Sequence, residues 1–166
     1  MKKLFLLLVA AICVVSSASA QNSIKYQGEV DLGFSLGVGT WAINRVNIHT
    51  IQGVKMGEHF SAGVGIGTDI YVVQGAESDV FIPVYLNVKG YFPTKSKVAP
   101  YASFDIGGGF GASQVAKGLS GMMLCPAIGL KVGMFKAQLG YNVQKISESG
   151  VSLNMSALQL KMGVMF

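Results

Sequence analysis

Alternation of apolar with polar or small residues runs through most of this chain after residue 26. Within 80–92 every even position except Gly90 is apolar, and polar side chains such as Asn87 and Lys89 occupy odd positions. A period of two places successive side chains on opposite faces of a β-strand, whereas an amphipathic helix requires a period near 3.6. The pattern therefore predicts a protein built from strands, each with one continuous apolar face.

Eight segments of 9 to 13 residues show this alternation: 26–38, 44–56, 60–72, 80–92, 102–112, 122–134, 136–144 and 156–166. The second is the weakest, because Ile51 and Gln52 interrupt it. Tight connections are expected after the second, fourth and sixth strands, around Gly57-Glu58, Thr94-Lys95-Ser96 and Phe135-Lys136. The other connections are mostly longer, at 39–44, 73–79, 113–120 and 147–153. This arrangement predicts an all-β fold, an eight-stranded antiparallel up-and-down β-barrel.

Composition indicates the medium that surrounds the barrel. Only 13% of the residues are charged and 51% are hydrophobic, against roughly 25% charged in ordinary soluble domains. Orienting each strand by its apolar face points ten of the 19 charges after residue 20 inward and leaves the rest in loops, turns or strand ends. A lipid-facing Lys or Arg costs ~2–4 kcal/mol at the membrane midplane. The sequence therefore favours a transmembrane barrel over a soluble one of the lipocalin kind.

Residues 1–20 have the layout of a cleaved secretory signal peptide. Lys2 and Lys3 precede an unbroken apolar run of 12 residues, and Ala18 and Ala20 stand at the −3 and −1 positions of a cleavage site. The run is shorter than the ~20 residues that a spanning helix needs. We therefore expect two parts, a signal peptide over 1–20 and a barrel domain over 21–166.

The barrel domain resembles the small eight-stranded outer-membrane β-barrel proteins, the OmpA/OmpX-like family. The most family-like stretches are Phe81-Ile-Pro-Val-Tyr-Leu-Asn-Val-Lys-Gly-Tyr-Phe92 and Pro100-Tyr-Ala-Ser-Phe-Asp-Ile-Gly-Gly-Gly-Phe-Gly111. The terminal strand ends in Phe166 and resembles the C-terminal insertion signal of such barrels, although Lys161 stands where that signal usually has Gly. The resemblance implies this fold and an outer-membrane location. We expect a monomeric, porin-like barrel in the cell outer membrane of a Gram-negative bacterium, reached through the periplasm. The implied partners are outer-membrane lipid and the barrel-assembly machinery.

Other chemistries find little support in the residues. Cys125 is the only cysteine after residue 20, and His49 and His59 have no carboxylate at metal-ligand spacing. We expect no metal and no cofactor. The basic residues are too few and too scattered for a nucleic-acid surface. His49 has no nucleophile identifiable from spacing, so a lipid-modifying outer-membrane enzyme is the third and least favoured hypothesis, and we predict a protein without catalytic activity.

The inward charges of the periplasmic half are expected to form a polar network in the lumen. Its predicted members are Glu29, Asp31, Lys55, Lys89, Asp105, Lys131, Lys136 and Lys161. Isolated buried charges are costly, so these groups should pair and plug the narrow interior. The alternative is a selectivity constriction that favours anions, because bases outnumber acids.

Glycines dominate the inward face of the outer half. They could leave a vestibule whose predicted lining is Gly65, Gly67, Tyr71, Phe81, Tyr85, Gly107 and Gly109. Alternatively, the glycines let the sheet coil tightly, or the aromatic rings lie against them.

Two further expectations concern strands and boundaries. Pro83 and Pro126 lack a ladder donor and are expected at bulges or strand ends near the outer rim. Aromatic girdles are expected at both membrane boundaries, with Tyr26, Phe60, Phe92 and Phe166 at one and Trp41 and Phe110 at the other.

The function favoured by the sequence is structural or surface-binding with a plugged lumen. The alternative is a low-conductance channel for small solutes, anions included.

Overall fold

The computed structural model describes residues 24–39, 42–72, 79–92, 94, 96–112, 120–148 and 151–166, without the side chains of 146–148 and 151–152. The predicted signal peptide and Trp41 lie outside the described residues. The eight strands are β1 (Ile24–Val38), β2 (Asn44–Met56), β3 (Phe60–Val72), β4 (Asp79–Tyr91), β5 (Val98–Gly111), β6 (Ser120–Val132), β7 (Phe135–Glu148) and β8 (Val151–Met165). No helix among the described residues is long and apolar enough to cross a membrane.

Each strand pairs antiparallel with its sequence neighbours, and β1 pairs with β8 to close the barrel. Closure satisfies the backbone groups that an open sheet would leave at its edges, which is the condition for strands to cross lipid. Phe166 continues the closing seam, since its backbone exchanges two hydrogen bonds with Gly28, of 2.7 and 2.9 Å. The predicted eight-stranded antiparallel barrel is confirmed.

The outer surface is a belt of apolar side chains. Leu32, Leu86 and Leu160 are 62%, 58% and 49% exposed, although all three are residues that a soluble protein would bury. Lys145 is an exception to the predicted absence of outward charge, because it lies exposed on β7 near the loop end, where a long side chain can reach the membrane boundary. The apolar belt is the surface of a transmembrane barrel.

The two ends of the barrel differ in their connections. The turn end carries the 57–59 and 133–134 turns and both described termini, and the loop end carries the connections after β1, β3, β5 and β7. Gly57 and Gly133 have φ of 64° and 61°, values that L side chains rarely adopt. The turn after β6 therefore lies at Gly133-Met134, and the prediction at Phe135-Lys136 was wrong.

The β7–β8 connection is also shorter than the predicted 147–153 loop. The two strands remain paired up to Glu148 and Val151. The hydrophobic alternation fades near residue 144, whereas the backbone pairing continues beyond the apolar belt. A polar strand extension therefore looks like a loop in the sequence.

Both in-strand prolines lie in a continuous register, so the predicted bulges or strand ends were wrong. Pairing of β3 with β4 stops after Ile66↔Val84, opposite Pro83, and resumes at Asp69↔Phe81 in the same register. The β6–β7 ladder skips in the same way around Pro126, between Leu124↔Val143 and Ala127↔Gly140. Each proline removes a donor locally, and the flanking pairs hold the register.

The apparent irregularity in β2 leaves its geometry unchanged. Register with β3 is continuous from Asn44↔Val72 to Met56↔Phe60. Ile51 is buried in the lumen and Gln52 lies on the outer face, where it accepts a hydrogen bond from the Tyr26 hydroxyl. The strand simply carries an apolar residue inward and a polar one outward.

Candidate functional site: the polar lumen

Ion pairs dominate the lumen near the turn end. Lys89 Nζ donates to both carboxylate oxygens of Glu29, at 2.8 and 2.9 Å. Lys136 pairs with Glu29 as well and lies 2.8 Å from Asp31 Oδ2. These four residues, all buried, form what we call the lysine–carboxylate cluster. Gln27 adds a further donor to Glu29 at 2.8 Å. One carboxylate therefore accepts from three side chains, which offsets the cost of removing its charge from water.

His49 and Lys161 connect the two ends of the lumen. His49 Nε2 lies 2.9 Å from Asp69 Oδ1, and Lys161 Nζ lies 3.2 Å from His49 Nδ1. Because an ammonium group only donates, Nδ1 accepts and Nε2–H donates to Asp69. Lys161 also lies 3.8 Å from Asp105, and the Tyr85 hydroxyl lies 3.0 Å from His49 Nδ1. The middle of the lumen is thus crossed by side chains from both walls.

Near the loop end, amide and aromatic groups replace the lysines. Arg45 donates to Gln144 and lies 3.4 Å from both the Tyr71 hydroxyl and Asn142 Oδ1. Gln144 Nε2 in turn donates to Asp69 Oδ2 at 3.2 Å. We call Arg45, Asp69, Tyr71, Asn142 and Gln144 the arginine–amide cluster; all five are buried. The Arg45 guanidinium also lies 5.3 Å from the centre of the Tyr71 ring, within cation–π range.

The buried charges of the described lumen balance. Four acids and four bases are buried: Glu29, Asp31, Asp69 and Asp105, with Arg45, Lys89, Lys136 and Lys161. Low polarity makes a net charge in such a space costly, and pairing removes most of that cost. The excess of bases that would suit an anion-selective constriction is therefore not buried within this part of the lumen.

Six of the eight predicted network residues lie in this buried set, and two lie elsewhere. Lys55 and Lys131 are half-buried at the turn end, each one residue before the end of its strand, and they form none of the ion pairs above. A depression of about 320 Å³ contains both, together with Glu58 and Lys97. Tyr91 forms part of its lining, and Lys55 Nζ lies 5.2 Å from the centre of the Tyr91 ring.

Aromatic rings lie against several glycines on the inward face. A Cβ at Gly65 would meet the Tyr85 ring, and one at Gly109 would meet the Phe81 ring. Gly107 lies against the backbone of Tyr85, and Gly67 lies under the His49 ring. Tyr71, Phe81 and Tyr85 are buried. Two alternatives were open for these glycines, a vestibule or aromatic rings packed against them. The described residues show the packing, because the rings occupy the space that the glycines leave.

Sequence reasoning left the loop-end polar groups out of the network. Asn47 connects Asp69 at 2.5 Å to the Ser35 hydroxyl at 2.7 Å, and Gln159 donates to Ser35 at 3.2 Å. Cys125 Sγ contacts Gln159 Oε1 at 3.4 Å. All these residues occupy inward positions of their strands, so the alternation marked them. Because the amides are uncharged, the predicted network, which was built from charged residues, does not include them.

In the described part of the chain, no three His, Cys, Asp or Glu side chains are grouped so that they could hold a metal ion.

At the turn end, Tyr26, Phe92, Phe135 and Phe166 are each more than 60% exposed on the outer surface. Exposed rings at one level are typical of a membrane boundary. Phe135 joins this set because the turn lies earlier than the sequence predicted.

Comparison with known proteins agrees with this geometry at the level of fold. No family model matches the chain, and no curated protein matches its sequence. Among solved structures it is similar to Neisserial surface protein A (TM-score 0.61, 12% identity, 87% of this chain and 98% of that one). It is also similar to the outer membrane enzyme PagL (TM-score 0.60, 9% identity, 82% and 98%). The N-terminal β-barrel domain of Pseudomonas aeruginosa OprF matches with a TM-score of 0.53, at 14% identity over 87% and 100%. The chain therefore has the fold of the small eight-stranded outer-membrane β-barrels.

Proposed function

We propose that this chain is an outer-membrane barrel with a structural or surface-binding role and a lumen closed by its own side chains. The observation that carries the proposal is the balanced, buried network across the lumen, from Glu29 and its two lysines to Arg45 and Gln144. An eight-stranded barrel is just wide enough for side chains to fill its interior. Opening a continuous water path would require several buried ion pairs to separate together.

The apolar belt and the similarity to outer-membrane barrels support a place in the outer membrane of a Gram-negative cell. In this proposal the signal peptide over 1–20 directs export and is removed, leaving 21–166 to reach the membrane through the periplasm. Phe166, at the end of the closing strand, acts as the insertion signal read by the barrel-assembly machinery. Outer-membrane lipid then covers the belt.

Single-channel recording in a planar bilayer tests the closed lumen directly. We expect folded barrel, prepared from 21–166, to give no discrete conductance steps, because buried ion pairs cross the lumen. A heat-modifiable shift on electrophoresis verifies folding before each recording. Discrete steps from folded protein would favour a low-conductance channel. Selectivity for anions, altered by Lys89→Gln, would place the conduction path through the lysine–carboxylate cluster.

Catalysis on lipid is disfavoured by the placement of His49. PagL shows that an enzyme can have this fold, and Asp69 does supply an acid beside His49. However, the His49 ring is buried in the lumen, and its described polar neighbours are Asp69, Tyr85 and Lys161, without a serine hydroxyl. We expect His49→Ala to leave lipid A composition unchanged when membranes are compared by mass spectrometry. A change would revive the enzyme hypothesis.

A further inference from the structure

The turn-end depression collects positive charge from three separate elements. Lys55 comes from β2, Lys131 from β6, and Lys97 from the connection between β4 and β5. Lys25 adds a fourth base beside them, because it is the register partner of Lys55 on β1. The fold, rather than local sequence, therefore brings Lys55, Lys97 and Lys131 to one depression with a volume of about 320 Å³.

These lysines differ from the buried ones in lacking a carboxylate partner. Within the described residues, neither Lys55, Lys97 nor Lys131 forms an ion pair, although Glu58 lines the same depression. Bringing like charges together is unfavourable, and the half-buried Lys55 and Lys131 also lose part of their hydration. An anion in the depression would offset both costs.

The form of the depression specifies the kind of anion. Each ammonium is a compact charge with three donors, so groups arriving from three elements can surround one multivalent oxyanion. Lys55 Nζ lies 5.2 Å from the centre of the Tyr91 ring, within cation–π range. The Tyr91 hydroxyl accepts from Gln27 and donates to Met165. We propose that this depression is a binding site for a phosphate group carried by a soluble compound or by a lipid headgroup.

Titration of the folded chain in nonionic detergent with inorganic phosphate and pyrophosphate tests the site. Amide NMR signals of Thr94, Ala99 and Gly133, all in the lining, report occupancy. We expect saturable shifts at these residues and none at Ser120 or Gln144 near the loop end. Sodium chloride at the same ionic strength should not reproduce them. Absence of saturable shifts with pyrophosphate, or equal shifts with chloride, would overturn the proposal.

Charge-neutral variants identify the residues responsible. We expect Lys55→Gln and Lys131→Gln each to weaken pyrophosphate binding by about tenfold, as loss of one charge-assisted hydrogen bond predicts. Lys145→Gln removes the same charge near the loop end and should bind as the unmodified chain does. If Lys55→Gln fails to fold, Lys97→Gln replaces it, because Lys97 is exposed. Unchanged affinity in the Lys97→Gln/Lys131→Gln double variant would refute the site.

Nanodiscs distinguish the two sources of phosphate. If a lipid headgroup occupies the site, discs containing phosphatidic acid should shift Thr94, Ala99 and Gly133 without added phosphate, relative to discs of phosphatidylcholine alone, and Lys131→Gln should reduce the shift. If the ligand is soluble, the two discs should give the same spectrum and pyrophosphate should still produce the shifts. Absence of the shifts under both conditions would contradict the proposal.

Discussion

The two clusters of the lumen compensate their buried charges in different ways. In the lysine–carboxylate cluster, Lys89 and Lys136 both depend on the Glu29 carboxylate. In the arginine–amide cluster, Arg45 distributes its donors over Gln144, Asn142 and Tyr71, and Asp69 is held by Asn47, His49 and Gln144. The first cluster neutralises its lysines with two carboxylates, of which Glu29 contacts both lysines, whereas the second distributes hydrogen bonds over many neutral partners. Damage should therefore be more severe near the turn end.

The largest effect is expected from Glu29→Gln. The amide has nearly the same shape and keeps one acceptor oxygen, but it has no charge and turns an NH2 donor toward the lysines. Lys89 is then buried without a carboxylate partner, while Lys136 keeps Asp31. Removing one partner of a buried ion pair lowers the free energy of unfolding by about 3–5 kcal/mol. Urea unfolding of the detergent-solubilised barrel should show this loss of unfolding free energy. Glu58→Gln, at an exposed turn, serves as the control and should be close to neutral.

A second variant separates loss of charge pairing from loss of shape. Adding Lys89→Met to Glu29→Gln removes the orphaned ammonium, and replacing both members of a buried pair is often close to neutral. We expect the double variant to recover at least half of the lost unfolding free energy. If the double variant were as unstable as Glu29→Gln, the pair could not be the cause.

Arg45→Met should have a smaller effect, of about 2–3 kcal/mol, because the described hydrogen-bond partners of Arg45 are the neutral groups of Tyr71, Asn142 and Gln144 rather than a carboxylate. Asp69 keeps Asn47, His49 and Gln144 as partners. The same urea titration compares it with Glu29→Gln. A loss equal to or larger than that of Glu29→Gln would reverse the ranking of the two clusters.

Gly65→Ala tests the packing between the clusters and is expected to cost about 1–3 kcal/mol, the usual penalty for overpacking. The added Cβ would meet the Tyr85 ring. Combining it with Tyr85→Leu makes room, so a double-mutant cycle should give a favourable coupling energy. Strict additivity would mean that the ring does not fill the space beside Gly65.

The smallest effect is expected from Ser35→Ala, at about 0.5–1.5 kcal/mol for one neutral hydroxyl. Ser35 donates to Asn47 and accepts from Gln159, so its loss affects only the edge of the arginine–amide cluster. The midpoint of urea unfolding measures the change. A loss comparable with that of Arg45→Met would show that the amide chain acts as one cooperative unit rather than as distributed contacts.

Some features followed from the sequence because they depend on local periodicity. Val84, Leu86 and Val88 alternate with Tyr85 and Asn87, and this alone assigned the outward and inward faces of β4. Beyond residue 144 in β7, polarity is similar on both faces and the hydrophobic alternation ends, so the sequence places the end of the strand too early. At Pro83 the sequence predicts a bulge or strand end where the strand in fact continues, because the flanking pairs, rather than one donor, keep the register.

The amino-acid sequence by itself determined the number of strands, the apolar belt and the set of side chains that enter the lumen, because a period of two fixes which face each residue joins. The tertiary structure alone decided which of those side chains meet. Glu29 and Lys136 are 107 residues apart, and their contact depends on barrel closure and on the register of every strand between them. Position along the barrel likewise separates Lys55 and Lys131 from the buried pairs, although all of these lysines share the inward face.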